Sequence, residues 1–469
     1  MKKLLLLFAG LAASWCATAG IVLPEIIGDH MILQQNSDAN IWGWGDPGAA
    51  VKVSASWGAK AATRCDAAGR WQVSLPTPAA SFEPQRITIR SGETVTLDDV
   101  LVGEVWFASG QSNMDMPLGG YWNALIEGAN RTIAMADAQR DRVRFVKVVY
   151  AQSYTTADRA EGRWNPFTTA TAPRMSAAAY YFAETLSQAL DVPVGVIDAS
   201  WGGSRIECWM PCDALAAYGD IDLSERCYEE SELHMRPMAM YNAMVHPLTR
   251  YTLRGFLWYQ GESNIGHHSD YHYRMADMAA AWRRAWGGGE RMPFFFVEIA
   301  PFAYGHNLAA YLREAQYRAQ REIPNSGMVP TNDLVEPYES ANIHPARKRE
   351  VGERLAFWAL NRTYSRPQVA CEGMQLRSVE IAGGRAHLDF DFTEGGFGRL
   401  TDIRGFEVCG ADRVFRPAQA APESNTRMMV WSDEVPEPVA VRYGFGDFMP
   451  GTMVNGRGMP LIPFRTDDF

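Results

Sequence analysis

Between Leu101 and Arg362 the sequence alternates short apolar runs with longer amphipathic ones. EVWFAS, RVRFVKVV, VPVGVIDA, RGFLWYQ, MPFFFVEIA and GMVPTND are strand-length, and several are apolar throughout rather than at every second position. Such strands have both faces covered, the condition of a parallel sheet between helix layers. Helix candidates fall between the runs at 176–190, 271–286, 307–322 and 346–360, the first entered through an N-cap serine, Ser176. This succession predicts an α/β fold with a parallel sheet flanked by helices.

The two ends of the chain read differently. Residues 20–100 carry short β-rich runs, ANIWGWG, AAVKVSASW, GRWQVSLP and QRITIRSG, broken by Gly, Pro and Asp. That spacing predicts a β-sandwich-like domain. Residues 366–469 return to β-like pieces such as RAHLDFDF and PVAVRYGF, a second β-rich region. The α/β domain is expected over 101–365. Residues 1–19 read as a signal peptide: Lys2 and Lys3, the run LLLLFAGLAASW, then Ala17-Thr18-Ala19 as a small-x-small cleavage site. Trp15 before Cys16 is a poor fit to a lipoprotein site, so an exported chain, periplasmic or secreted, is expected, without membrane insertion.

A net charge of −10 with no basic tract argues against nucleic acid or an anionic membrane as partner. Six cysteines follow the leader: Cys65, Cys208, Cys212, Cys227, Cys371 and Cys409. Without a Cys-x-x-Cys pair they give little support to a metal or redox site. Cys212 and Cys227 are a candidate disulfide, but buried free thiols are the favoured reading. His267, His268 and His272 form the one cluster with a metal-like spacing, but a pocket wall or a solvated helix start is the favoured reading. The tryptophans of WGWG and WRRAW could stack sugars, although core packing is their commoner fate.

In an open parallel sheet, ligands bind beyond the carboxyl ends of the strands, near a switch in strand order. The loops expected there carry Gly110-Gln111-Ser112-Asn113, then Trp201-Gly202-Gly203-Ser204-Arg205, then Gln260-Gly261-Glu262-Ser263-Asn264, and Asn342-Ile343-His344-Pro345. A serine hydroxyl becomes a nucleophile when a base such as histidine takes its proton. The oxyanion formed at an attacked acyl carbon needs donors already in place, and backbone N–H groups at Ser112 and Gly202 or Gly203, with the Gln260 amide, would supply them. Arg205, which could meet a substrate carboxylate, and Asn113 are the candidates for substrate contact.

The blocks GQSNM, WGGSRIECW, WYQGESN and NIHPARKREVGERLA resemble, in order, those of the sialate O-acetylesterase family of SGNH hydrolases. The resemblance runs from VLVGEVW to NGRGMPLIPFRTDDF. It implies a carbohydrate O-acetylesterase on an SGNH/flavodoxin-like three-layer α/β/α core, with an O-acetylated carbohydrate as substrate and no cofactor or metal. By position it makes Ser112 the nucleophile, His344 the base, and a glycine of the second block and Gln260 the oxyanion donors. Met114 stands where a nucleophile elbow would have its second glycine, which disfavours an ordinary α/β-hydrolase. One departure stands out: SGNH enzymes usually carry an aspartate two or three residues before the histidine, and here those positions hold Asn342 and Ala341. The partner of His344 is left open among Asn342, Glu262, Glu339, Asp333 and none, with Glu262 ahead among the carboxylates. Two rivals follow: an esterase of plant polysaccharide such as xylan or pectin, and a sugar-binding homologue that has lost catalysis.

Overall fold

The computed structural model describes residues 20–469; the expected signal peptide lies outside the described residues. At its centre is a parallel sheet of β1 (Glu93–Gly110), β2 (Val143–Lys147), β3 (Val194–Ser200), β4 (Gly255–Tyr259), β5 (Phe294–Val297) and β6 (Ser326–Val329). The spatial order is β6-β5-β4-β1-β3-β2, every neighbouring pair parallel. The chain lays β2 and β3 on one side of β1 and then crosses to build outward from the other. The switch in strand order therefore falls at β1, whose last residue is Gly110.

β3, β4 and β5 are buried at every position, as unbroken apolar runs require. Four long helices cover the sheet: α2 (Ala177–Leu190), α3 (His268–Ala285), α4 (Leu308–Glu322) and α5 (Lys348–Arg362), while α1 (Ser112–Asp115) is a single turn after β1. Ser176 caps α2 by accepting the Ala179 N–H at 3.2 Å. Helices α2 and α5 pack closely because Gly352 faces Ala178 and Phe182; a Cβ there would stand 2.5 Å from the Ala178 carbonyl oxygen.

β1 runs across the boundary expected near residue 100. Residues 93–103 of it pair with the N-terminal strands Ser81–Ser91 and Ile32–Gln34, and residues 104–110 with β3 and β4. One continuous strand thus couples the N-terminal β region to the parallel sheet. The C-terminal region forms two four-stranded antiparallel sheets around their own core of Met374, Leu388, Phe390, Val408, Met428 and Tyr443. Trp42 of WGWG and Trp282 of WRRAW are core residues, and Trp44 is covered by the Arg159 guanidinium at 4.0 Å. The described cysteines are all free; Cys212 is exposed and unpaired with Cys227. His272 bonds Glu322 Oε2 through Nδ1 at 2.6 Å, and His268 stacks on Tyr311.

Candidate active site

Gly110 ends β1 with φ of 142°, and a Cβ on it would lie 2.1 Å from the Tyr259 carbonyl oxygen. Only glycine lets the chain leave the sheet this close to β4, turning into Gln111 and Ser112. Ser112 is the first residue of α1 and half-buried. Its neighbours on both sides are buried struts. Gln111 Oε1 accepts the N–H groups of Gly261 at 3.1 Å and Ser263 at 3.4 Å. Asn113 donates from Nδ2 to Glu262 Oε1 at 2.6 Å and to the Ile343 carbonyl at 3.0 Å. Asn113 is 0% exposed with both amide hydrogens spent, so it ties loops together and presents no donor to a substrate.

The histidine loop meets the serine loop here. Asn113, next to Ser112, holds the carbonyl of Ile343, next to His344. Tyr121 supplies a second link: its hydroxyl lies 3.1 Å from the Ser112 carbonyl oxygen, and its ring sits edge-on to the His344 imidazole with centroids 5.1 Å apart. His344 Nε2 is buried with no hydrogen-bond partner among the described residues. Burial, and then the Lys348 ammonium, pull the imidazole pKa down to about 4. His344 is therefore neutral, the form that can accept a proton.

The possible partners of His344 are accounted for one by one. Asn342 Oδ1 accepts the backbone N–H of His344 at 3.1 Å, shaping the turn rather than orienting the ring. Glu339 accepts the N–H groups of Glu336 at 2.9 Å and Ala346 at 3.0 Å. Asp333 is held by both terminal nitrogens of Arg354 at 2.8 and 2.6 Å. Glu262 is 6% exposed, its carboxyl pushed above the usual range by burial. One of its oxygens takes Asn113, and the other, Oε2, is buried without a hydrogen-bond partner among the described residues. No hydrogen bond joins any of these carboxylates to the imidazole among the described residues.

The second and third loops interlock beside the serine. A Cβ on Gly202 would lie 3.4 Å from Ser112 Cβ, whereas one on Gly203 would face the ring of His234. Neither Ser112 N–H nor Gly202 N–H donates to another group among the described residues. Ser263 Oγ donates to the Gly203 carbonyl at 2.8 Å, and Asn264 bridges Ile206 N–H and Glu207. Gln260 is fully buried; its amide nitrogen donates to Ser204 O at 3.1 Å and Asn264 Oδ1 at 2.7 Å. Its Oε1 accepts from Tyr271 at 2.7 Å, so the amide has no free hydrogen for an oxyanion. Arg205 is half-buried and makes no ion pair among the described residues, and its Nε is buried and unpartnered.

Beneath α1 lies a polar cluster that no sequence motif signalled. Lys147 bonds Asp198 Oδ2 at 2.9 Å, Ser200 Oγ at 3.1 Å and Asp115, the last residue of α1. Burial opposes the Lys147 charge, but Asp198 and Asp115 outweigh it and raise its pKa. Tyr150 donates to Asp115 Oδ2 at 2.7 Å and stacks on Trp201 with ring centroids 4.8 Å apart. Lys348, buried at the start of α5, was missed too.

Residues 102–361, more than half of the chain, match the family model for carbohydrate esterase, sialic acid-specific acetylesterase. The sialate O-acetylesterase of Pongo abelii is 29% identical over 92% of this chain and 88% of that protein. The Homo sapiens sialate O-acetylesterase is also 29% identical, over 84% and 81%. A solved carbohydrate acetylesterase from Xanthomonas citri superposes with a TM-score of 0.85 at 32% identity, covering 96% of this chain and 100% of that one. Fold and relatives together define a carbohydrate esterase, a hydrolase of carboxylic esters. Within that class the chain belongs to the sialic acid-specific acetylesterase family, as the four sequence blocks implied.

Proposed function

We propose that Ser112 and His344 remove O-acetyl groups from sialic acid through an acetyl-enzyme. Ser112 Oγ attacks the acetyl carbonyl as His344 takes its proton, and the oxyanion is met by the N–H groups of Ser112 and Gly202. His344 returns the proton to the departing sugar oxygen. A water, deprotonated by the same imidazole, then attacks the acetyl-serine, and acetate leaves with Ser112 restored. The carrying observation is the double link between the loops, Asn113 to Ile343 O at 3.0 Å and Tyr121 between Ser112 and His344. It supports nucleophile and base in one pocket although they lie far apart in sequence.

Two observations support sialic acid over a neutral polysaccharide. Arg205, three residues beyond Gly202, carries a guanidinium with no carboxylate partner among the described residues, and sialic acid brings a carboxylate. The curated relatives are themselves sialate O-acetylesterases. The lysine-led apolar segment before Gly20 supports export, and no helix among the described residues is long and apolar enough to cross a membrane. The test is acetate release from O-acetylated sialosides and from acetylated xylan, by wild type and Ser112→Ala. Wild type should favour the sialoside. Ser112→Ala should lose at least ~10,000-fold in rate with an unchanged unfolding midpoint. Turnover retained by that variant would end the proposal, and preference for xylan would end the substrate assignment.

A further inference from the structure

Three polar groups of the backbone around His344 are each held by a side chain. The carbonyl before it, Ile343 O, accepts from Asn113 Nδ2 at 3.0 Å. Its own N–H donates to Asn342 Oδ1 at 3.1 Å. The carbonyl after it, Pro345 O, accepts from Lys348 Nζ at 2.5 Å. Lys348 is the first residue of α5 and only 1% exposed, an unusual position for a lysine, since burying an ammonium is costly unless it is compensated. The carboxylates that act on its charge are Glu262 and Glu339. Glu262 Oε1 also receives Asn113 Nδ2, at 2.6 Å.

We propose that Asn113 and Lys348 are positioning residues that aim His344 through its backbone, gripping the carbonyls on either side of it. This takes the place of the imidazole–carboxylate bond that usually sets a catalytic histidine. The inference rests on Ser112 and His344 being nucleophile and base.

The arrangement has an electrostatic consequence. The groups acting on the imidazole are Lys348 from α5 and the Tyr121 ring from the loop after α1. Lys348 faces Glu262 from the third loop and Glu339 from the approach to His344. Burial lowers the Lys348 pKa to about 7 against the pull of both carboxylates, so at acid pH the side chain is charged. A cation there disfavours a second cation on His344 and keeps the base neutral.

The test is kcat, KM and the pH profile of kcat/KM for acetate release by Asn113→Ala, Lys348→Met, Lys348→Arg and the Asn113→Ala/Lys348→Met pair. Unfolding midpoints identify the folded variants. Each single variant should lose roughly 10- to 100-fold in kcat with KM changed less than about twofold, because an aimed base has moved while sugar contacts have not. Lys348→Met should also move the acid limb up by about one pH unit. Lys348→Arg, which keeps the charge but not the reach, should leave that limb in place. The paired variant should lose less than the product of the single losses, since both grips act on one turn. Folded Lys348→Met with wild-type kcat and acid limb would overturn the proposal. If no Lys348 variant folds, an unchanged kcat in Asn113→Ala overturns it instead. Full activity in His344→Ala would show that the underlying Ser–His reading had failed rather than the grip.

Discussion

The loops that carry Ser112 and His344 are built on opposite plans. Ser112 follows directly from the central strand, and Asp115, three residues on, is rooted in the Lys147–Asp198–Ser200 cluster. His344 hangs between β6 and α5 in a segment without regular structure of its own beyond a short turn at Pro337–Glu339. It is held by single hydrogen bonds to its backbone. The nucleophile's position is part of the fold's stability, whereas the base is steered by a few contacts that contribute little to it. Damage on one side should therefore be read in stability, and damage on the other in turnover.

The largest effect concerns the base itself. With a pKa near 4, His344 is neutral above that pH and can accept a proton; below it the ring is cationic and cannot. The kcat/KM profile of the wild type should accordingly hold its plateau down to pH 5 and fall with a midpoint near 4. An imidazole at its ordinary value would already have lost about thirty-fold at pH 5.

On the serine side, Asp115→Asn removes a carboxylate that receives Lys147 and Tyr150 in a largely buried cluster. It should cost roughly 2–3 kcal/mol in denaturant unfolding, with residual activity tracking the folded fraction. On the histidine side, Asn342→Ala removes only the acceptor of the His344 N–H. A stability loss of about 1 kcal/mol with a fall in kcat of less than ~10-fold and an unchanged KM would sharpen the contrast. A large stability loss there, with no change in kcat, would erase it.

Much of this was legible in the sequence because it depends on local pattern. Fully apolar runs announced the parallel strands, and the polar residues closing each run announced the loops at the sheet's carboxyl edge. What escaped depends on loops meeting one another. Asn113 and Gln260 read as groups facing a substrate, because residues beside a nucleophile in a polar loop have that look. Only the convergence of loops shows that their hydrogens are spent on Ile343, Glu262, Ser204 and Asn264. Lys348 carries no motif of its own, and its burial becomes visible only in the fold. The continuity of β1 past residue 100 escaped for another reason: its outer half alternates and its inner half does not, so one strand reads as two.

The most direct test of the central claim is mass spectrometry of the protein after reaction with a serine-directed organophosphonate, in wild type and His344→Ala. The account predicts one adduct on the peptide bearing Ser112 in the wild type, with labelling slowed strongly when the imidazole is gone. An adduct on a different serine, or wild-type protein that turns over acetyl esters yet leaves Ser112 unlabelled, would contradict it.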